Sequence, residues 1–250
     1  MKKIACFIAI IISLSFSIMQ KKKTTIWMIG DSTMSVKEKK YYPETGWGMP
    51  FAHFWDSTVT IENRAKNGRS TKSFLKENLW KPVFDQLQEG DYVFIQFGHN
   101  DEIPTKQTAT SPTEFKENLE KYVNETRVKK AIPVLLTSAA RRKFDSTGVL
   151  VDTHQQYAAI TTAVARQMDV LLIDVNKSSM ELLKQMGPQS SAYLFNHLTP
   201  GEHPNYPEGK TDDTHFNELG ARRMAELVLN DIRHSNLELK TRIVVPAVKK

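Results

Sequence analysis

Residues 24–35 read TTIWMIGDSTMS, and the break in the middle of that stretch decides the fold. Thr24 to Ile29 is β-branched and apolar, the pattern of a strand buried on both faces. Gly30-Asp31-Ser32-Thr33 is small and polar, so the strand must stop there. Four more runs of the same kind follow at Thr58–Asn63, Tyr92–Phe97, Ile132–Ser138 and Val170–Val175. Between them, apolar residues recur at helical spacing over Ser70–Gln88, Glu114–Lys130 and Asp152–Met168. A last such stretch, Asn217–Arg233, follows the final strand.

Strands that alternate with amphipathic helices form a parallel sheet covered on both faces, a three-layer α/β/α sandwich. Five strands predict the flavodoxin-like, doubly wound order 2-1-3-4-5, with ligands bound beyond the carboxyl ends of the strands. One segment departs from the alternation. Residues 187–213, GPQSSAYLFNHLTPGEHPNYPEGKTDD, are rich in Pro, Gly, His and Asn and predict a long loop around a short helix.

The composition, 40% hydrophobic and 25% charged over 250 residues, is that of an ordinary globular chain. No compositional break divides it, so residues 24–235 read as one domain and residues 236–250 as a C-terminal tail. Met1-Lys2-Lys3 followed by the apolar run Ile4–Ile18 predicts a signal peptide over residues 1–20, too short for a membrane span of about 20 residues. The expected location is therefore secreted or periplasmic. Cys6 is the one cysteine and lies in that segment, so the domain has no disulfide, thiolate ligand or cysteine nucleophile. The net charge of +6 suits an acidic polymer as partner without demanding one, and no basic stripe interleaved with aromatics points to nucleic acid.

Four polar pieces are expected at the carboxyl rim of such a sheet: Gly30-Asp31-Ser32, NRAKNGRS around Gly68, Gly98-His99-Asn100-Asp101-Glu102, and Asp212-Asp213-Thr214-His215. Their chemistry is complementary. A serine hydroxyl needs a base, which His215 can supply, and a histidine base needs an acceptor, which Asp212 can supply three residues earlier on the same loop. A tetrahedral oxyanion needs donors: the Ser32 N–H, expected at a helix N-terminus, the Gly68 N–H and the Asn100 amide. Taken singly each piece has a plainer reading. Asp-Ser after a strand caps a helix, Asp212 caps a turn, Asn100 holds its own backbone, and Gly68 permits positive φ. It is the four together, in order, at one rim, that point to a site.

These blocks resemble those of the SGNH, or GDSL-like, esterase superfamily, whose four defining residues correspond to Ser32, Gly68, Asn100 and His215. The stretches IGDSTM (with Thr33 in place of the more usual Leu), GWGMPF, NRAKNGRSTKSF, FIQFGHNDE and DDTHFNELGA are similar to the rhamnogalacturonan acetylesterases. The resemblance spans roughly Ile26 to Ala221. It implies an SGNH hydrolase fold and a cofactor-free serine esterase, with Ser32, His215 and Asp212 catalytic and Ser32, Gly68 and Asn100 holding the oxyanion. It implies acetylated pectic polysaccharide as substrate. The same chemistry on acetylated xylan or a short-chain ester is the alternative, and an inactive glycan-binding protein a more distant one.

Other readings carry less. Glu202, His203, His197 and His215 lack zinc-site spacing, and the chain has no HExxH, so no metal is expected. The phosphate-loop and dinucleotide fingerprints are missing, as is the GxSxG elbow. Asp31 and Asp101 are expected to orient the backbone beside the site, and Asp213 to face solvent or cap its loop. His99 and Trp47 fit either the cleft or the core. Arg69, Arg141 and Arg142 follow strand ends, where a guanidinium could grip a sugar carboxylate. Asn124-Glu125-Thr126 and Asn176-Lys177-Ser178 are glycosylation sequons.

Overall fold

The computed structural model describes residues 22–245, so the expected signal peptide and Cys6 lie outside the described residues. The strands β1 (Thr24–Gly30), β2 (Val59–Asn63), β3 (Tyr92–Gln96), β4 (Ile132–Leu136) and β5 (Leu171–Ile173) form one parallel sheet in the order β2-β1-β3-β4-β5. The expected topology is the observed one, because β1, β3, β4 and β5 carry apolar residues on both faces, while the edge strand β2 turns Val59 and Ile61 to one core and Thr60 and Glu62 away from it. Ile26 and Met28 of β1 join Phe94 of β3 and Val134 of β4 in one core. Trp27 and Ile29 join Val93, Ile95 and Leu135 in the other. Side chains alternate faces along a strand, so two cores from one sheet require two covering layers.

The first core is covered by α1 (Gly48–Phe51), α6 (Val175–Ser190) and α7 (Glu218–His234). The second is covered by α2 (Thr71–Lys76), α3 (Lys81–Gln86), α4 (Pro112–Val128) and α5 (Gln155–Gln167). In α7 the stripe Ala221, Met224, Ala225, Val228, Leu229 and Ile232 faces inward at 3.6-residue spacing, and Asn217 caps the helix by accepting from the Gly220 N–H at 3.0 Å. Ser111 caps α4 in the same way, accepting from the Glu114 N–H.

Three expectations need correction. The single helix expected over Ser70–Gln88 is two, because Asn78 takes a left-handed φ of 57° and Pro82 opens α3. The long loop expected over Gly187–Asp213 is mostly ordered structure. Helix α6 runs into it and kinks at Gly187-Pro188, and β6 (Phe195–Leu198) pairs antiparallel with β7 (Lys210–Phe216) beside the main sheet. Asp212 and His215 therefore stand on a strand rather than a loop. Residues 236–245, the described part of the expected tail, turn back on the body. Leu239 is fully buried and Ile243 bridges to Trp55.

Helix α7 crosses the segment before β6 so closely that only glycine fits at the contact. A Cβ on Gly220 would lie 1.8 Å from the Leu194 carbonyl oxygen. Neither the helix nor that backbone is free to retreat. Gly220→Ala is thus expected to cost at least about 3 kcal/mol, or roughly 10 °C in Tm by thermal unfolding.

Candidate active site

Register brings the polar pieces to one rim. Gly30 of β1 lies beside Gln96 of β3, and Met28 lies beside Asn63 of β2, so Ser32, Gly68 and Asn100 all follow just past neighbouring strand ends. Ser32 does not sit at a helix N-terminus as expected. It lies in a tight turn, held by the Met34 and Ser35 N–H groups donating to the Asp31 carbonyl. Asp31 secures that turn with its own side chain, its Oδ1 accepting from the Thr33 N–H at 2.9 Å and the Thr33 hydroxyl at 2.8 Å. Burial pushes the Asp31 carboxyl above its ordinary pKa against the pull of those two bonds.

The hydroxyl of Ser32 faces His215, with Oγ 2.9 Å from Nε2. On the far side of the ring, Nδ1 lies 2.9 Å from Asp212 Oδ2. The other Asp212 oxygen, Oδ1, accepts from the backbone N–H groups of Thr214 and His215, each at 2.9 Å. Burial alone would raise the pKa of Asp212. The bond from the His215 ring, the charge of that ring and the two backbone donors outweigh burial and hold the carboxyl well below its usual range. An ionised Asp212 only accepts, so Nδ1 carries a proton and Nε2 is left with the lone pair that faces the serine. Ser32 is 7% exposed and the His215 side chain 28%, so the pair opens onto solvent from a mostly dry floor.

Gly68 has a φ of 75°, and a Cβ there would meet nothing within 4 Å. Backbone conformation, not crowding, favours glycine at this position, and it leaves the face of the loop open to a substrate. Asn100 is buried behind the loop, its Nδ2 donating to the Arg69 carbonyl at 3.0 Å, which leaves its second amide hydrogen available. Among the described residues, neither the Ser32 N–H nor the Gly68 N–H donates to another backbone group outside the regular elements.

The side chains around these groups are mostly spoken for. Arg69 pairs with Glu77, Arg141 with Glu102 and Arg142 with Asp213, so each of the three guanidinium groups already faces a carboxylate of the protein. His99 is buried with its ring edge-on to His154 at 4.3 Å, and burial keeps it well below its ordinary pKa. Trp47 belongs to the core, with Nε1 donating to Gln96 Oε1 at 2.8 Å. Asp213 is half-exposed and accepts from both Arg142 and His197. Asp101 takes donors from Thr71 and Thr110, and burial nevertheless pushes its carboxyl up to about 7. Glu44, Asp212 and His215 place three ligand-type atoms within 4.8 Å of one another, but the two carboxylates and the ring already bond to Lys37, the β7 backbone, Ser32 and each other.

Sequence reasoning missed Lys106, whose Nζ donates to Asn100 Oδ1 at 2.7 Å and so fixes which way that amide points. It also missed Lys37 and Glu44. Both stand in VKEKKYYPE, a charged run that reads as solvated surface, and nothing local signals that the pair is buried.

Residues 28–223 match the GDSL-like lipase/acylhydrolase family. The chain belongs to that family. It is accordingly an ester hydrolase, and relatives support the assignment. It is 39% identical over 228 residues to the rhamnogalacturonan acetylesterase RhgT of Bacillus subtilis, covering 90% of this chain and 97% of that one. It is 31% identical to the same organism's probable rhamnogalacturonan acetylesterase YesY, covering 88% and 97% of the two chains. Among solved structures, protein YxiM of Bacillus subtilis superposes with a TM-score of 0.75 at 26% identity, over 87% of this chain and 58% of that one. The acetylxylan esterase Axe2 of Geobacillus stearothermophilus gives 0.60 at 17% identity over 87% and 96%, a likeness of fold alone.

Proposed function

We propose that this chain is a secreted carbohydrate esterase that removes acetyl groups from a rhamnogalacturonan-type pectic polysaccharide, using Ser32, His215 and Asp212. The observation that carries the mechanism is the unbroken line Ser32 Oγ to His215 Nε2, 2.9 Å, and His215 Nδ1 to Asp212, 2.9 Å. The observation that carries the substrate is the 39% identity to RhgT along nearly its whole length. The basic, apolar first residues of the sequence support export.

His215 Nε2 takes the proton of Ser32 as Oγ attacks the acetyl carbonyl. The oxyanion that forms is received by the Ser32 and Gly68 N–H groups and the free hydrogen of the Asn100 amide. The imidazolium then gives its proton to the sugar hydroxyl as the C–O bond breaks, leaving an acetyl-enzyme. Water, deprotonated by the same nitrogen, adds to the acetyl carbon, and as the bond to Ser32 Oγ breaks the imidazolium returns its proton to that oxygen and acetate leaves. Asp212 keeps its charge throughout and steadies the imidazolium.

Acetate release from acetylated rhamnogalacturonan is expected to exceed that from acetylated xylan at least tenfold in kcat/KM at equal acetyl content. Equal or better release from xylan would move the substrate to another glycan. Failure of a fluorophosphonate to label Ser32 would leave a glycan-binding protein.

A further inference from the structure

The segment between Ser32 and α1 holds a buried charge that the hydrolytic steps do not use. Lys37 Nζ and Glu44 Oε1 are 2.7 Å apart, with side chains 0% and 9% exposed. The same Nζ donates to Asn67 Oδ1 at 2.8 Å, and that oxygen also accepts from the Ser35 hydroxyl at 2.6 Å. At its other end Glu44 lies against the dyad, its carboxylate within 4.8 Å of ligand-type atoms of both Asp212 and His215. The next residue, Thr45, donates its N–H to the Phe216 carbonyl at 2.8 Å, which ties this segment to β7 directly after the histidine.

Stability gives little reason to keep such a pair. Taking an ammonium and a carboxylate out of water costs about what their attraction returns, and apolar side chains of similar volume often serve as well. Burial indeed lowers the pKa of Lys37, against the pull of Glu44. Geometry supplies a different reason. Gly68 has no side chain to wedge it, and a Cβ there would touch nothing, so side-chain packing does not hold that residue in place. Hydrogen bonds hold it: the Lys66 N–H donates to the Gly30 carbonyl at 3.0 Å before it, Asn100 grips the Arg69 carbonyl after it, and Lys37 and Ser35 grip the side chain of Asn67, its immediate neighbour.

We propose that Lys37, Glu44 and Asn67 form a positioning strut that sets the Gly68 N–H at a fixed height relative to Ser32 and His215. The loop after β2 and the dyad on β7 come from opposite ends of the chain, and this ion pair is braced between them. Misplacement by about 1 Å at such a site costs on the order of 100-fold in rate, which gives the strut its value. The role rests on the reading of Ser32, Gly68 and His215 given above. None of the three strut residues need touch the substrate.

Two variants test it. Asn67→Ala cuts the strut at a partly exposed loop and leaves the ion pair whole. Lys37→Met combined with Glu44→Leu removes both charges together and so leaves no buried orphan. In each, kcat for deacetylation and the rate of fluorophosphonate labelling at Ser32 are both expected to fall tenfold or more, with KM within threefold and Tm within about 5 °C. A smaller loss in either rate for Asn67→Ala overturns the proposal, and that variant alone decides if the double one does not fold. Absence of labelling at Ser32 in the unmodified protein would instead overturn the reading of the site.

Discussion

Ser32→Ala is expected to lower acetate release by roughly 10⁵-fold or more while leaving the fold intact. The hydroxyl bonds to the acyl carbon in the proposed mechanism, and neither neighbouring hydroxyl can replace it. Ser35 Oγ is engaged with Asn67 at 2.6 Å, and Thr33 Oγ1 with Asp31 at 2.8 Å. The structural loss is small, because among the described residues the side-chain partner of Ser32 Oγ is the half-open imidazole 2.9 Å away. Acetate assays beside thermal unfolding check both halves of the expectation. A variant that kept even one hundredth of the activity would remove Ser32 from the nucleophile's role.

Asp212→Asn is expected to cost on the order of 10⁴ in kcat, out of proportion to the single atom changed. The reason is orientation. Oδ1 of Asp212 receives two backbone N–H groups, from Thr214 and His215. In the amide that position must remain oxygen, so the NH₂ takes the place of Oδ2 and points at His215 Nδ1. A donor there forces Nδ1 to accept, which moves the ring proton to Nε2 and leaves Ser32 facing a donor in place of a base. Nitrogen NMR of the histidine should show the Nε2–H tautomer in the variant, and activity should recover partly at high pH as hydroxide substitutes for the base. Near-normal kcat at neutral pH, with Nδ1 still protonated, would give the carboxylate some other task.

The main sheet was legible because four of its strands are apolar on both faces, and edge strand β2 still alternates Val59 and Ile61 with polar residues. The hairpin was not. FNHL and KTDDTHF carry neither alternation nor a β-branched run, and they become strands only by pairing with each other beneath α7. Helix α6 is broken at Gly187, whose φ of 72° is non-helical, and Pro188 opens the short continuation, so that dipeptide did mark a boundary even though the helix before it went unread. The break between α2 and α3 did leave a trace, since Pro82 stands inside the stretch taken as one helix. Ser32, Gly68, Asn100, Asp212 and His215 could be picked out because hydrolytic chemistry restricts residue type as well as place. Their supports could not. Lys37 and Lys106 look like any other lysine until a fold decides that one is buried and the other reaches an asparagine amide.

The two atoms proposed to share a proton at the start of the reaction, Ser32 Oγ and His215 Nε2, belong to residues 183 positions apart. The proposed nucleophile leads the domain and its proposed base arrives with the last strand. A chain still being synthesised or threaded across a membrane, or clipped before β7, therefore holds an inert serine. Turnover requires both ends of the domain to be in place, so recovery of hydrolysis after dilution from denaturant times the meeting of the turn after β1 with β7.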